Sequence, residues 1–401
     1  MATESNVAQI RCAVHLSTQS STKAAVAEAL VAVRQQLSVP ASLVMIFASG
    51  DHAESLQGSL TQIQETLEAG CVVGCTGESI VGGDREVEAS SALSIWAASF
   101  PAATVDAFRL SFARTPEGGV IEGWPEQLAG EWPDESLLIL LGDPYTFPAD
   151  FLLERLNEDR PGVKVAGGMA SSGSGPGENR LYLHDQAYTE GAVAVLLRRP
   201  VGLRTVVSQG CRPIGKPFVV TKAEQNVLVE LGGRPALEQL KSLFAELPTR
   251  EQQLFQRGLH VGRVVSEYRE TFEAGDFLIR NVIGIDPRRG AIAVGDFIRP
   301  GQTVQFHLRD HETADDDLKQ LLRGAGGDES ATPAGALLFT CNGRGTRLFP
   351  IADHDVSCVH AACGPIPVAG FFAAGELGPV GKENFMHGFT ASIAVFTNRK
   401  S

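Results

Sequence analysis

One arrangement of residues occurs three times in this chain and leaves few folds open to it. The first copy is an apolar run Leu43-Val44-Met45-Ile46-Phe47, a helical stretch Ser59 to Glu68, the segment Val72-Val73-Gly74-Cys75-Thr76-Gly77-Glu78, a turn at Gly82-Gly83 and a run Ala92 to Ala97. The second has Leu137 to Leu141, a helix Asp150 to Asn157, Val165-Ala166-Gly167-Gly168, a loop Ser171 to Asn179 and Ala192 to Leu197. The third has Leu337 to Cys341, a helix Val356 to Ala362, Val368-Ala369-Gly370-Phe371, Gly375-Glu376 and Ala391 to Phe396. From the start of the first run to the glycine of the V-x-G step the copies measure 31, 30 and 33 residues.

A spacing of about 30 residues that carries a helix is what a parallel β-α-β crossover requires. Near-continuous apolar strands imply sheets covered on both faces. The expectation is an α/β protein of mixed, largely buried sheets, built from repeated β-α-β-β units with glycine-rich turns. The glycines are placed just after each second strand, where a chain reversal or an approaching ligand calls for a residue without a Cβ. Ligands of open α/β sheets gather near strand C-termini, so these turns are where a site is sought.

The other segments fit around this frame. Ile10 to Leu16 reads as a strand, and Ser20-Ser21-Thr22 caps a helix Lys23 to Leu37. Val201 to Gln209 and Phe218 to Leu231 read as strands flanking a turn at Cys211-Arg212-Pro213-Ile214-Gly215. Gly130 to Glu135 is a polar joint, and Gly324 to Pro333 is a connector rich in Gly, Asp and Ser. A length of 401 residues exceeds what one core usually supports, and the division is placed near residue 232, giving domains 1–231 and 232–401.

Charge narrows the class of partner. Lys and Arg total 34 against 47 Asp and Glu, a net −13 with no basic run, which argues against nucleic acid. Apolar runs such as Leu137 to Leu141 are too short to span a membrane. Met1 to Gln9 lacks the basic start and apolar core of a signal peptide, and seven cysteines at irregular spacing suit reduced thiols. Together these give a cytoplasmic expectation with no membrane partner.

Several segments resemble a known family. Asp276 to Arg280, Gly301-Gln302 to Arg309, Cys341-Asn342-Gly343-Arg344-Gly345, Pro367 to Phe372, Gly375-Glu376 and His387-Gly388-Phe389-Thr390 are similar to the C-terminal FIST domain. Val72 to Glu78, Gly167-Gly168 and the stretch Thr221 to Leu231 are similar to the N-terminal FIST domain. The resemblance implies an intracellular sensory module for a small ligand, amino acids being the usual suggestion, working in signal transduction. Kinase-like and F-box segments are not seen in the sequence, so the output is expected through a separate signalling protein.

The candidate ligand-binding residues follow from chemistry at the glycine turns. Backbone N–H groups around Asn342 and Gly345 and the fork of Arg344 suit a carboxylate, against the plainer reading of a strand-to-helix turn with a surface arginine. Gly375 and Glu376 suit an ammonium, so Arg344 and Glu376 would match the two ends of an amino acid; capping is the alternative for the acid. His387 and Thr390 precede the last strand as a wall of the same pocket. Cys75 and Glu78 are the corresponding candidates in the first copy. Cys341 with His387 raises thiol catalysis, but no third orienting residue is evident. His354, Cys358, His360 and Cys363 point to opposite sides of a helix at about 100° per residue, so no metal and no cofactor are expected. A ligand sensor is therefore the leading reading, a protein-interaction scaffold or adaptor the first rival, and a cysteine enzyme the second.

Overall fold

A computed structural model describes residues 9–116, 118–130, 132–133, 136–198, 202–268, 271–272, 274–326 and 331–399. Met1 to Ala8 of the N-terminal segment, residues 131, 134 and 135 of the polar joint, Val201, and residues 327–330 of the connector lie outside the described residues. The chain forms two compact units, residues 1–207 with 318–401, and residues 208–317.

All three copies lie in the first unit and share one plan. In each, a buried first strand (Leu43–Ser49, Leu137–Gly142, Ala331–Cys341) is followed by a helix (Leu60–Thr66, Ala149–Asp159, His354–Cys363). A second strand then pairs parallel to the first (Val72–Gly77, Lys164–Met169, Val368–Ala373), as the crossover spacing predicts. A third strand (Leu93–Ser99, Ala192–Arg198, Ala391–Arg399) pairs antiparallel on the other side of the first. The mixed α/β expectation holds, with first strands such as Leu43–Ser49 buried along their whole length.

Between its second and third strands each copy carries a short hairpin, and that hairpin does not join its own sheet. The hairpin Ile80–Gly82/Arg85–Val87 of the first copy pairs with the second strand of the third copy. Leu181–Leu183/Gln186–Tyr188 of the second copy pairs with the second strand of the first. Glu376–Val380/Glu383–His387 of the third copy pairs with the second strand of the second. The exchange is cyclic, and single backbone bonds repeat around it: Thr76 N to Arg180 O, Met169 N to Gly375 O and Phe372 N to Ser79 O. These rungs align Glu376 with Ile80 rather than with Glu78.

The repeated glycines sit inside the second strands, not after them as expected. Gly74, Gly167 and Gly370 lie opposite Ile46, Leu140 and Leu338 of the parallel first strands. A Cβ at any of the three would overlap that neighbour's carbonyl oxygen. Strand-to-strand approach therefore explains the V-x-G step without invoking a ligand.

The inner faces of the three sheets meet in one core. Phe47 stacks on Phe371 at 5.4 Å between ring centroids and meets Phe339 edge-on at 6.2 Å. Met45, Trp96, Ile139, Leu141, Leu337 and Phe396 fill the same cluster. Each such side chain contributes roughly 1.5–3 kcal/mol by leaving water, so this centre holds packed hydrocarbon.

Before its first strand each copy has a lead strand beside its third strand: Arg11–Ser17, Thr104–Thr115 and Gly202–Ser208. The segment between lead strand and first strand differs among the copies. The first copy inserts the helix Thr22–Gln36, whose Ala25, Val26, Ala29, Leu30 and Val33 cover the outer sheet face at helical spacing. The second inserts a strand Gly118–Glu122 and a 3-10 turn Glu126–Leu128. The third inserts the whole second unit.

That second unit is an antiparallel sheet in which Cys211–Glu224 pairs with Thr303–Arg309 on one side and Val227–Leu231 on the other, closing it on itself. The amphipathic helix Ala236–Glu246 packs Leu237, Leu240 and Leu243 against Val261, Ile292 and Phe306. The expected turn at Cys211 to Gly215 is instead strand, with a register shift between Ile214 and Phe218 where Gly215 takes φ +62°. The expected strand Phe218 to Leu231 is broken by Gln225 at φ +54°. The helix Thr249–Arg257 carries little sequence signal, because among its residues Leu254 and Phe255 alone are large and apolar. Leu231 and Gly232, where the sequence suggested a division, lie within this second unit.

Candidate functional site

In the third copy the space beyond the C-terminal end of the first strand is filled by an ion-pair network. Arg344 is fully buried, and its Nε and Nη2 donate to the two oxygens of Asp355 at 2.7 Å each. Its guanidinium also lies 5.1 Å over the Phe349 ring. Thr340 Oγ1 donates to Asp355 at 2.6 Å, and His354 Nδ1 lies 2.8 Å from the same carboxylate. Burial works against the Asp355 charge, but Arg344 and these hydrogen bonds hold its pKa well below the carboxylate range. Burial likewise opposes charge on His354, yet its bonds to Asp355 and Cys358 raise it to about 10. Glu86, from the hairpin of the first copy, is pushed up to about 8 by burial and by Asp355. The Arg344 fork that sequence reasoning offered to a ligand carboxylate is thus engaged by Asp355.

The remaining third-copy candidates are also placed. Asn342 N donates to Ala373 O at 3.2 Å, and its own carbonyl accepts from Arg347 Nη1 at 2.8 Å. Gly345 has φ +58°, a left-handed turn that glycine favours. Gly375 O accepts from Met169 N. Glu376 is fully buried and accepts from Thr390 N at 3.1 Å, while Thr390 Oγ1 donates to Gly388 O. His387 faces Glu376 across the hairpin, with its Nε2 3.0 Å from Gly378 O. Glu376 and His387 are therefore brought together on a hairpin added to the sheet of the second copy, with Thr390 bonded to Glu376 from just beyond it. Cys341 Sγ accepts from Gly343 N at 3.4 Å. On the helix beyond it, Cys358 Sγ lies 3.9 Å from His354 Nε2 while His360 turns to Ile366 O, the divergence that helical spacing implied.

An open cavity lies at the corresponding end of the first copy. It has a volume of about 330 Å³ and is lined by Ser49, Asp51, Glu78, Ser90, Ser91 and Ser172 with small backbone turns between them. Ser49 ends the first strand and Asp51 follows it, Glu78 follows the second, and Ser172 comes from the loop after the second strand of the second copy. That loop is fastened: Ser172 Oγ donates to Thr76 Oγ1 at 2.7 Å, Glu78 N donates to Ser171 Oγ at 2.9 Å, and Gly173 N donates to Asn179. Ser49 Oγ donates to Asp51 at 2.6 Å. Burial would raise the Asp51 pKa, but hydrogen bonds from Ser49 and Ser91 leave it lowered, so it is a carboxylate near neutrality. Glu78 is paired with Arg347, whose Nη1 lies 3.1 Å from Oε2.

Of the first-copy candidates, Glu78 lines this cavity. Cys75 is fully buried within its strand, and burial raises its thiol pKa well above the usual value. Sequence reasoning missed Asp51, Ser172 and Arg347. The Gly50-Asp51 pair directly after a buried strand was a usable signal for the first. Arg347 had none, since its partner lies 269 residues away.

A second cavity of about 560 Å³ adjoins through Asp51 and is lined by Ser20, Ser21, Thr22, Lys23, Ser55 and Ser59 among others. His52, fully buried, bridges the two: Nδ1 lies 2.9 Å from Thr22 Oγ1 and Nε2 lies 3.2 Å from Ser91 Oγ. Among the described residues no helix is long and apolar enough to cross a membrane.

Comparison with known proteins agrees with this architecture. The FIST N domain model matches residues 42–234 and the FIST C domain model matches residues 236–379. An uncharacterized protein of Mycobacterium tuberculosis is 42% identical over 391 residues, covering 97% of this chain and 100% of the relative. Another, from Mycobacterium bovis, is 40% identical over 390 residues, covering 97% and 99%. FIST domains are small-ligand-binding sensory domains of signalling proteins. With both domain models matched in order along most of its length, the chain belongs to the FIST family.

Proposed function

We propose that this protein is an intracellular sensor that binds a small zwitterion, an amino acid or a close analogue, in the polar cavity at the strand ends of the first copy. The observation that carries the reading is the cavity itself: four serine hydroxyls and two carboxylates converge on about 330 Å³, within the range of small-ligand sites. Asp51 and Glu78 supply the counter-charge for an ammonium. Arg347, 55% exposed and already seated on Glu78, supplies it for a carboxylate. An arriving amino acid would insert between the two, exchanging one exposed ion pair for two charge-assisted contacts. The amino-acid logic first attached to Arg344 and Glu376 thus passes to Arg347 and Glu78. The output would travel through a separate signalling partner, and binding rather than catalysis is the role assigned.

The test is a thermal-shift panel of free amino acids, with amine-only and acid-only analogues as controls. Ligand at a hundred times its Kd stabilises the folded state by about 2.7 kcal/mol, which a melting curve resolves. The reading expects a shift from intact zwitterions that Glu78→Gln and Arg347→Ala each abolish. A flat panel, or a shift indifferent to both variants, would contradict it.

A further inference from the structure

Each copy needs its outer sheet face covered, and in the second copy the cover leaves a cleft over the edge strand Gly118–Glu122. The first copy uses the inserted helix Thr22–Gln36. The second uses its crossover helix Ala149–Asp159 together with the insert around Gly118–Glu122 and Glu126–Leu128. The insert touches the end of the helix but leaves a cleft of about 650 Å³ between them. Its walls are Trp124, Trp132 and Phe151, and Leu128, Leu152 and Leu156 are among its apolar lining. Two of the chain's three tryptophans thus stand half-buried at one opening, their rings 6.0 Å apart and tilted by 47°.

We propose that this cleft is a second binding site, separate from the polar cavity, for a flat, uncharged aromatic molecule. Its volume falls within the usual span for small-molecule pockets, and it is concave and mainly apolar, as such pockets are. The charges at its rim exclude a strong preference for an ion. Among the described residues of the lining, Arg155 and Arg160 stand against Glu126 and Asp159, a net of zero. Both arginines already lie over aromatic rings, Arg155 5.7 Å above Phe151 and Arg160 5.3 Å above Trp132, and Arg160 Nη2 also donates to Ala129 O at 3.2 Å. A neutral ring lying against the Trp124 and Trp132 pair and facing Phe151 gains aromatic contact and apolar burial without disturbing these pairs.

The experiment is a titration of the full chain with N-phenyl-1-naphthylamine, an uncharged aromatic whose emission responds to burial and which accepts energy from tryptophan. The expected result is saturation at one probe per chain with quenching of tryptophan emission, and binding about tenfold weaker for the anionic anilinonaphthalene sulfonate. Ala129→Trp, which fills the cleft from an exposed position, should weaken the probe by about tenfold without changing the melting temperature. Glu78→Gln should leave probe binding unchanged, which separates this site from the polar cavity. Linear uptake without saturation, or equal binding to Ala129→Trp, would overturn the proposal. So would tighter binding of the sulfonate that Arg155→Ala removes, or pairing of two chains over the cleft that excludes the probe.

Discussion

Arg344 and Arg347 lie three positions apart and do opposite work. Arg344 is wholly buried on Asp355, and a buried charge left without its partner costs about 3–5 kcal/mol. Arg344→Ala and Asp355→Ala are therefore expected to lower stability by that order, read as the shift in urea midpoint. Arg347 is exposed, and pairs of that kind contribute about 0–1 kcal/mol, so Arg347→Ala should leave the midpoint nearly unmoved while removing ligand response. In the second unit His260 and His307 face each other across neighbouring strands, and burial lowers both to about 4. Their folded pKa values lie below the unfolded value near 6.5, so the stability they allow is whole above that pH and falls as pH drops towards 4. The loss is on the order of 3 kcal/mol for each, and replacing His307 with Phe should flatten the acid limb of a stability–pH curve. A local reading of the sequence could see that Arg344 follows a strand and Glu78 a glycine. It could not see that Asp355, which the turn after Arg344 folds back onto it, claims the one, or that Arg347 claims the other, since pairing across 269 residues leaves no local trace.

At the scale of strands and turns, the glycine of the V-x-G step is a packing requirement. Gly370→Ala should destabilise by about 3 kcal/mol or more, since a methyl group has no room against the Leu338 carbonyl. Gly83→Ala is the control: its φ is +65° but open space surrounds it, so the cost should be the roughly 1 kcal/mol of a left-handed alanine. Denaturation of the two variants side by side measures the difference. First strands, crossover helices and third strands were legible because long apolar runs and helical spacing repeat at constant distance. The exchanged hairpins were not, because strands of three residues such as Ile80–Gly82 and Leu181–Leu183 carry too little pattern. Cyclic pairing between copies is likewise a property of the assembled sheets. Of the Trp124 to Trp132 insert the sequence offered only the polar joint from Gly130 on, because the role of its tryptophans depends on the helix Ala149–Asp159 that they stand beside.

Considered whole, the first unit is three copies that each complete another's sheet, so none has a finished sheet alone. It should unfold in one cooperative step, and fragments ending between copies should not fold. The second unit is different: Ser208 Oγ donates to Asp317 at 2.7 Å, and Gly210 N donates to the same carboxylate at 3.1 Å, so its two ends adjoin. Residues 208–317 expressed alone are expected to give a cooperative melt. A chain cut after Leu231 would separate strands Cys211–Glu224 and Val227–Leu231 from Thr303–Arg309 and Ala291–Val294, and its halves should melt without cooperativity. On the proposed function the ligand enters at the strand ends of the first copy and not at the filled end of the third. The measurement that tests it is calorimetric titration of the best-stabilising amino acid into the natural chain, Glu78→Gln and Glu376→Gln, each first shown to be folded. Binding should be at least about tenfold weaker for Glu78→Gln, a loss of about 1.4 kcal/mol, and unchanged for Glu376→Gln. Full affinity in Glu78→Gln with loss in Glu376→Gln would contradict it.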